Sequence, residues 1–180
     1  MKKFTALLLA LIIITSVIQA EAACTTPGCV KRAAQAAMDE TGANVAFVVK
    51  IGTDGKGTGY MMYRAKGKVH CDRSGQIILG RNTKICKKYH YYFHRNRDAE
   101  KKVESWAKGK VQYRWRYTSL IECSEEPGFK VHSYIEYKNP GKAWQTCKGT
   151  SKNTDGVSMC KEFAHYLWSM ADDDCPVVFK

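Results

Sequence analysis

Apolar residues recur along this chain with two different periods, and the switches between them mark out its elements. Val30, Ala33, Ala34, Ala37 and Met38 fall at the i, i+3, i+4, i+7, i+8 spacing of a helical stripe, which Thr41-Gly42 stops. A second stripe starts near Asp98, with Ala99, Val103, Trp106 and Ala107 on one face and Gly109 at its end. A third gathers Cys160, Phe163, Ala164, Leu167, Trp168 and Ala171 and reads as core. The pattern predicts three amphipathic helices.

Strand signals lie between them. Val45 to Ile51 is a mostly apolar run suited to a buried strand, and the glycine-rich stretch from Gly52 to Gly59 turns the chain into Tyr60 to Arg64. Gln76 to Leu79 and Val177 to Phe179 are shorter candidates. The clearest is Val111 to Ile121, where Val111, Tyr113, Trp115, Tyr117 and Ile121 alternate with Gln112, Arg114, Arg116 and Thr118. Lys130 to Tyr137 alternates again, with Val131, Ile135 and Tyr137 on one face and His132, Tyr134 and Glu136 on the other. The predicted class is α+β, with antiparallel sheets of hairpins and about three helices. A faint echo, Tyr60-x-x-Tyr63 leading to Cys71 and Tyr134-x-x-Tyr137 leading to Cys147, would make the domain two degenerate helix-meander units.

The N-terminus changes the picture. Met1, Lys2 and Lys3 precede an apolar run from Phe4 to Ile18, and Ala20-Glu21-Ala22 fits a small-x-small cleavage rule, so residues 1–22 read as a signal peptide that is removed. Of 180 residues, 158 then remain, in one domain over 23–180, and losing two lysines and one glutamate takes the net charge from +12 to +11. No later segment is apolar enough to span a bilayer as a helix, so the expected product is secreted, with no integral membrane segment after cleavage.

All eight cysteines, Cys24, Cys29, Cys71, Cys86, Cys123, Cys147, Cys160 and Cys175, follow the proposed cut. An even number in an exported chain predicts up to four disulfides, and nearest neighbours in sequence (24 with 29, 71 with 86, 123 with 147, 160 with 175) would each close a local loop. With no Cys-x-x-Cys pair, a zinc site is not expected, nor is any other metal or cofactor. Phosphate-loop, nucleophile-elbow and zincin motifs are missing as well, and no Asn-x-Ser/Thr sequon occurs.

Two constellations could carry function. Cations and rings interleave between Lys84 and Lys102, where Lys87, Lys88, Tyr91, Tyr92, Arg95 and Arg97 suit an anionic surface or macromolecule: lipid headgroups, cell-wall polymer, an acidic protein or RNA. The even-numbered face of the long hairpin brings Arg114 and Arg116 beside His132 and Glu136, with Arg116 expected opposite Glu136. Those residue types, a base, an acid and two cations, are what a metal-independent secreted ribonuclease requires. They are also what the solvated side of any two-faced sheet contains. The acidic run Asp172 to Asp174 follows the third helix, where it opposes the helix dipole and calls for basic neighbours.

The leading expectation is a non-enzymatic, secreted, basic effector or toxin-like protein, of the kind that includes antimicrobials, binding an anionic target. The ribonuclease is the alternative, and an inhibitory module using the loop from Gly52 to Gly59 is a third.

Overall fold

A computed structural model describes residues 26–86, 90–94, 103–123, 125, 128–147 and 155–180. Helix α1 (Gly28–Thr41) leads into β1 (Val45–Ile51), β2 (Lys56–Ala65) and β3 (Lys68–Leu79). Next come β4 (Tyr91–His94), β5 (Val103–Lys108), β6 (Val111–Arg116), β7 (Ser119–Cys123), β8 (Phe129–Ser133), β9 (Glu136–Lys138) and β10 (Gln145–Thr146). The chain ends with β11 (Val157–Met159), α2 (Lys161–Met170) and β12 (Cys175–Phe179). Eight strands close into a barrel in the order β1-β12-β4-β7-β8-β11-β3-β2, and the other four form a second sheet, β10-β9-β6-β5.

Period-two alternation fills the barrel. Phe47 and Val49 on β1, Met61 on β2, Ile77 on β3, Tyr91 and Phe93 on β4, Ile121, Val131, Val157 and Met159, and Val177 and Phe179 on β12 share one buried cluster. Strand register agrees: Phe47 stands opposite both Met61 and Val177, and Val131 opposite both Ser119 and Val157. Helix α2 contributes Phe163, Ala164, Leu167 and, just past its end, Ala171 to the same cluster. The β3 strand makes room with Gly75, where an added Cβ would stand 2.6 Å from the Phe163 ring. The outward residues of β1, Ala46 and Val48, are buried by Val30, Ala34 and Met38 of α1. Burial on both faces is why β1 reads as a nearly unbroken apolar run. Gly42, at φ 73, ends α1 in the left-handed conformation common past helix C-termini.

The second sheet grows out of the barrel because two strands change partners midway. The predicted Val111 to Ile121 strand breaks at Tyr117, whose φ is 53, so that β6 joins the outer sheet and β7 the barrel. A non-glycine residue held at positive φ needs compensating contacts. The Tyr117 ring supplies them, lying 4.5 Å from the His165 ring and 6.4 Å from that of Trp168. The Lys130 to Tyr137 strand also breaks, at Tyr134–Ile135, into β8 in the barrel and β9 in the outer sheet.

The α+β class with about three helices is corrected: the described chain is mostly β, with a closed barrel and two helices. The supposed second helix is strand β5 from Val103 onward, while Asp98 and Ala99 lie outside the described residues. Its spacing fits a helix, but pairing of Glu104 with Trp115 and Trp106 with Tyr113 selects the strand. The disulfide staples are corrected too, since among the described residues no cysteines stand at disulfide distance. Cys24 lies outside those residues. Regular structure intervenes along the chain in two of the expected pairs. From Cys71, strand β3 runs on to Leu79, about 25 Å of extended chain, before Cys86 is reached, and about 15 Å of helix α2 lies between Cys160 and Cys175.

Candidate binding surface

The hairpin residues singled out from the sequence separate into two environments. Glu136 on β9 stands directly opposite Arg114 on β6, and the carboxylate accepts from Arg114 Nε at 2.5 Å. Arg116 is the diagonal neighbour, with its Nε 3.9 Å from the same carboxylate, so the register differs by two residues from the one expected. The Arg114 guanidinium also stacks over the Trp144 ring at 3.9 Å. One carboxylate thus sits between two guanidinium groups, and the face is held together largely by its own charges.

His132 lies elsewhere, on barrel strand β8, buried with 4% of its surface exposed. Its Nδ1 is 2.6 Å from the Ser133 carbonyl oxygen, and its ring lies 5.5 Å from that of Trp115. Burial lowers its pKa from the ordinary histidine value, against opposing hydrogen bonds to the Ser133 and Asp155 backbones. Nearby charges enter more weakly, Glu104 raising the pKa and Lys130 lowering it. His132 therefore fits between barrel and outer sheet as a neutral, hydrogen-bonded wedge, and the structure does not bring it to Glu136.

In the other constellation, Tyr91 points into the barrel and is 3% exposed, with its hydroxyl accepting from the Cys86 N–H at 3.0 Å. Tyr92 is half-buried. Lys87, Lys88, Arg95 and Arg97 lie outside the described residues. At the acidic run, His94 Nδ1 at the end of β4 is 3.9 Å from Asp173, while His90, before the start of β4, lies 3.5 Å from Glu40 of α1. Among the described residues no group of three or more His, Cys, Asp or Glu side chains could hold a metal ion.

The outer sheet carries a feature that no single segment displays. Trp106 on β5 stands opposite Tyr113 on β6, which stands opposite Tyr137 on β9, so three aromatic residues line up across three strands. The Trp106 and Tyr113 rings stack at 4.8 Å and 16°, and Trp115 tilts against Trp106 at 4.7 Å. At the end of the row, Tyr137 hydrogen-bonds Gln145 of β10. Trp106 is 39% exposed, one of the most open large apolar side chains among the described residues.

Beside this row, the two turns at one end of the sheet carry four lysines. Lys108 and Lys110 flank Gly109 in the β5–β6 turn, while Lys138 and Lys142 flank the turn between β9 and β10. Gly109 at φ 60 and Gly141 at φ 69 take the left-handed conformation that lets each turn fold back tightly. Among the described residues, none of the four lysines takes part in an ion pair, whereas Glu104, at the other end of the sheet, meets Lys130 of the barrel strand β8 at 2.6 Å. Sequence reasoning did not single out this patch, because its members come from two turns some thirty residues apart. The signal available was the repeated lysine-flanked glycine turn at Lys108-Gly109-Lys110 and Lys138-Asn139-Pro140-Gly141-Lys142.

No family model and no curated protein matches the chain. Among solved structures, it is similar to the crystal structure of a fused Zn-dependent amidase/peptidase/peptidoglycan-binding domain-containing protein from Clostridium acetobutylicum ATCC 824. The TM-score is 0.49 at 11% identity over 86% of this chain and 63% of that one. The chain therefore spans less than two thirds of that structure's length, and a likeness this distant carries no argument about function.

Proposed function

We propose that this chain is an exported binding protein for an anionic polymer or surface, and that the outer sheet makes the contact. The observation that supports this reading is the lysine tip: four ammonium groups at one end of a sheet, with no carboxylate of the same chain paired to them among the described residues. Each like charge raises the potential felt by the next, and a polyanion relieves that repulsion while releasing its own counterions. The aromatic row alongside offers flat apolar surface to the uncharged parts of such a partner, a sugar face or an acyl chain. The Arg114–Glu136 pair would act as a brace, because its charges already satisfy one another.

The test is titration of the full chain with heparin as a model polyanion at low and at roughly tenfold higher salt. Wild type should bind and lose affinity steeply as salt rises, as expected of screened, exposed charges. The triple variant K110E/K138E/K142E should bind at least about tenfold more weakly at low salt, since three charge reversals act in one patch. Equal binding by wild type and variant, or binding that ignores salt, overturns the proposal.

A further inference from the structure

The two edges of the outer sheet differ sharply. Strand β10 is two residues long and follows a turn, while β5 runs six residues in unbroken register with β6 and, among the described residues, is the terminal strand on its side. Ser105, Trp106, Ala107 and Lys108 of β5 are all exposed, and the strand contains no proline. A long, flat, unbulged edge presents a row of backbone donors and acceptors to another strand, and proteins ordinarily blunt such edges.

The charges on β5 point to one occupant. Glu104 and Lys108 lie two residues on either side of Trp106, all three on the same face of the strand. If β5 meets a second β5 antiparallel about a two-fold axis through Trp106, Glu104 falls opposite the second copy's Lys108, and the reciprocal pair forms by symmetry. Trp106 then meets its own counterpart, and Ser105 meets Ala107. The charges that would guard this edge against strangers become attractive toward a copy of itself.

We infer that the chain forms a symmetric dimer through β5, joining two outer sheets into one of eight strands. The three-residue aromatic row continues across the axis into its counterpart, giving six aromatic residues over about 24 Å at ordinary strand spacing. Glu104, already 2.6 Å from its own Lys130, lies between two ammonium groups in the pair.

Sedimentation equilibrium of the full chain, without polyanion, tests this. Wild type should approach twice the chain mass with rising concentration. K108E sets glutamate against Glu104 at both ends and should raise the dissociation constant about tenfold or more while leaving the melting temperature of the monomer unchanged. E104K/K108E restores opposite charges and should recover the dimer. A wild type that stays monomeric, a K108E dimer of unchanged affinity, or no recovery in the double variant overturns the inference. The lysine-tip variant K110E/K138E/K142E leaves β5 intact and should keep the dimer, so this inference and the binding proposal fail separately.

Discussion

The barrel and the outer sheet are built from different strands of one chain, and almost every physical property differs between them. Inside the barrel, Phe47, Phe93, Ile121 and Met159 are fully buried, and a helix closes the packing. In the outer sheet Glu104 to Lys108 of β5 are all at least partly exposed, the rings of β6 are half-buried, and stability comes from ion pairs, stacking and the attachment of β6 and β9 to the barrel. Apolar burial stabilises the first region and leaves the second free to present charge and aromatic surface. A chain that divides the work this way should respond to mutation in two distinguishable ways.

The largest effects belong in the barrel. Phe163→Ala empties the space that Gly75 and Phe47 line and should cost about 3 to 5 kcal/mol in a urea unfolding curve. Gly156→Ala should cost about 3 kcal/mol or more, since Gly156 sits at φ 78 and an added Cβ would lie 2.0 Å from the Lys130 carbonyl oxygen. Trp106→Ala, by contrast, removes an exposed ring and two ring contacts, for about 1 kcal/mol. If Trp106→Ala were as damaging as Phe163→Ala, the outer sheet would be part of the core.

Intermediate effects test the boundary between the regions. The pKa of His132 is lower in the folded chain than the unfolded value of about 6.5, so protons bind the unfolded chain first. The stability this group contributes is complete above about pH 6.5 and falls as pH drops below it, by at most about 1.4 kcal/mol per pH unit. Melting temperatures of wild type and His132→Gln, compared at pH 7.5 and 5.5, should show the smaller acid loss in the variant. Equal losses would place the acid sensitivity in other groups.

The smallest effect is chemical. Burial pushes the Cys175 thiol up to about 12, whereas Cys29 is exposed on α1. Alkylation of the native chain near pH 8 should label Cys29 quickly and spare Cys175 until the barrel unfolds, as read by peptide mass. Rapid labelling of Cys175 would mean that the barrel opens readily.

The same contrast explains what the sequence disclosed. Elements with a complete local signature were legible: α1 with its Gly42 stop, β1 as a continuous apolar run, α2 with its Phe163–Leu167 stripe. The barrel was not, because closure depends on parallel pairing of β1 with β12 and β8 with β11, which no local spacing encodes. β5 carried a stripe that fits helix or strand, and only its partner β6 decides between them. The long hairpin alternated correctly, but alternation does not reveal that Tyr117 would send its halves to different sheets. Matching its apolar faces put Arg114, Arg116 and Glu136 together, while His132 was lost from that group when β8 stayed with the barrel. The lysine tip was hidden for the opposite reason, being made of two ordinary turns that only β6–β9 pairing brings side by side.

The division of labour is tested most directly by measuring heparin affinity and melting temperature together on wild type and K110E/K138E/K142E. The expected result is a melting temperature within a few degrees of wild type and an affinity at least about tenfold lower at low salt. An unchanged affinity in a variant that still folds would contradict the assignment of binding to the outer sheet.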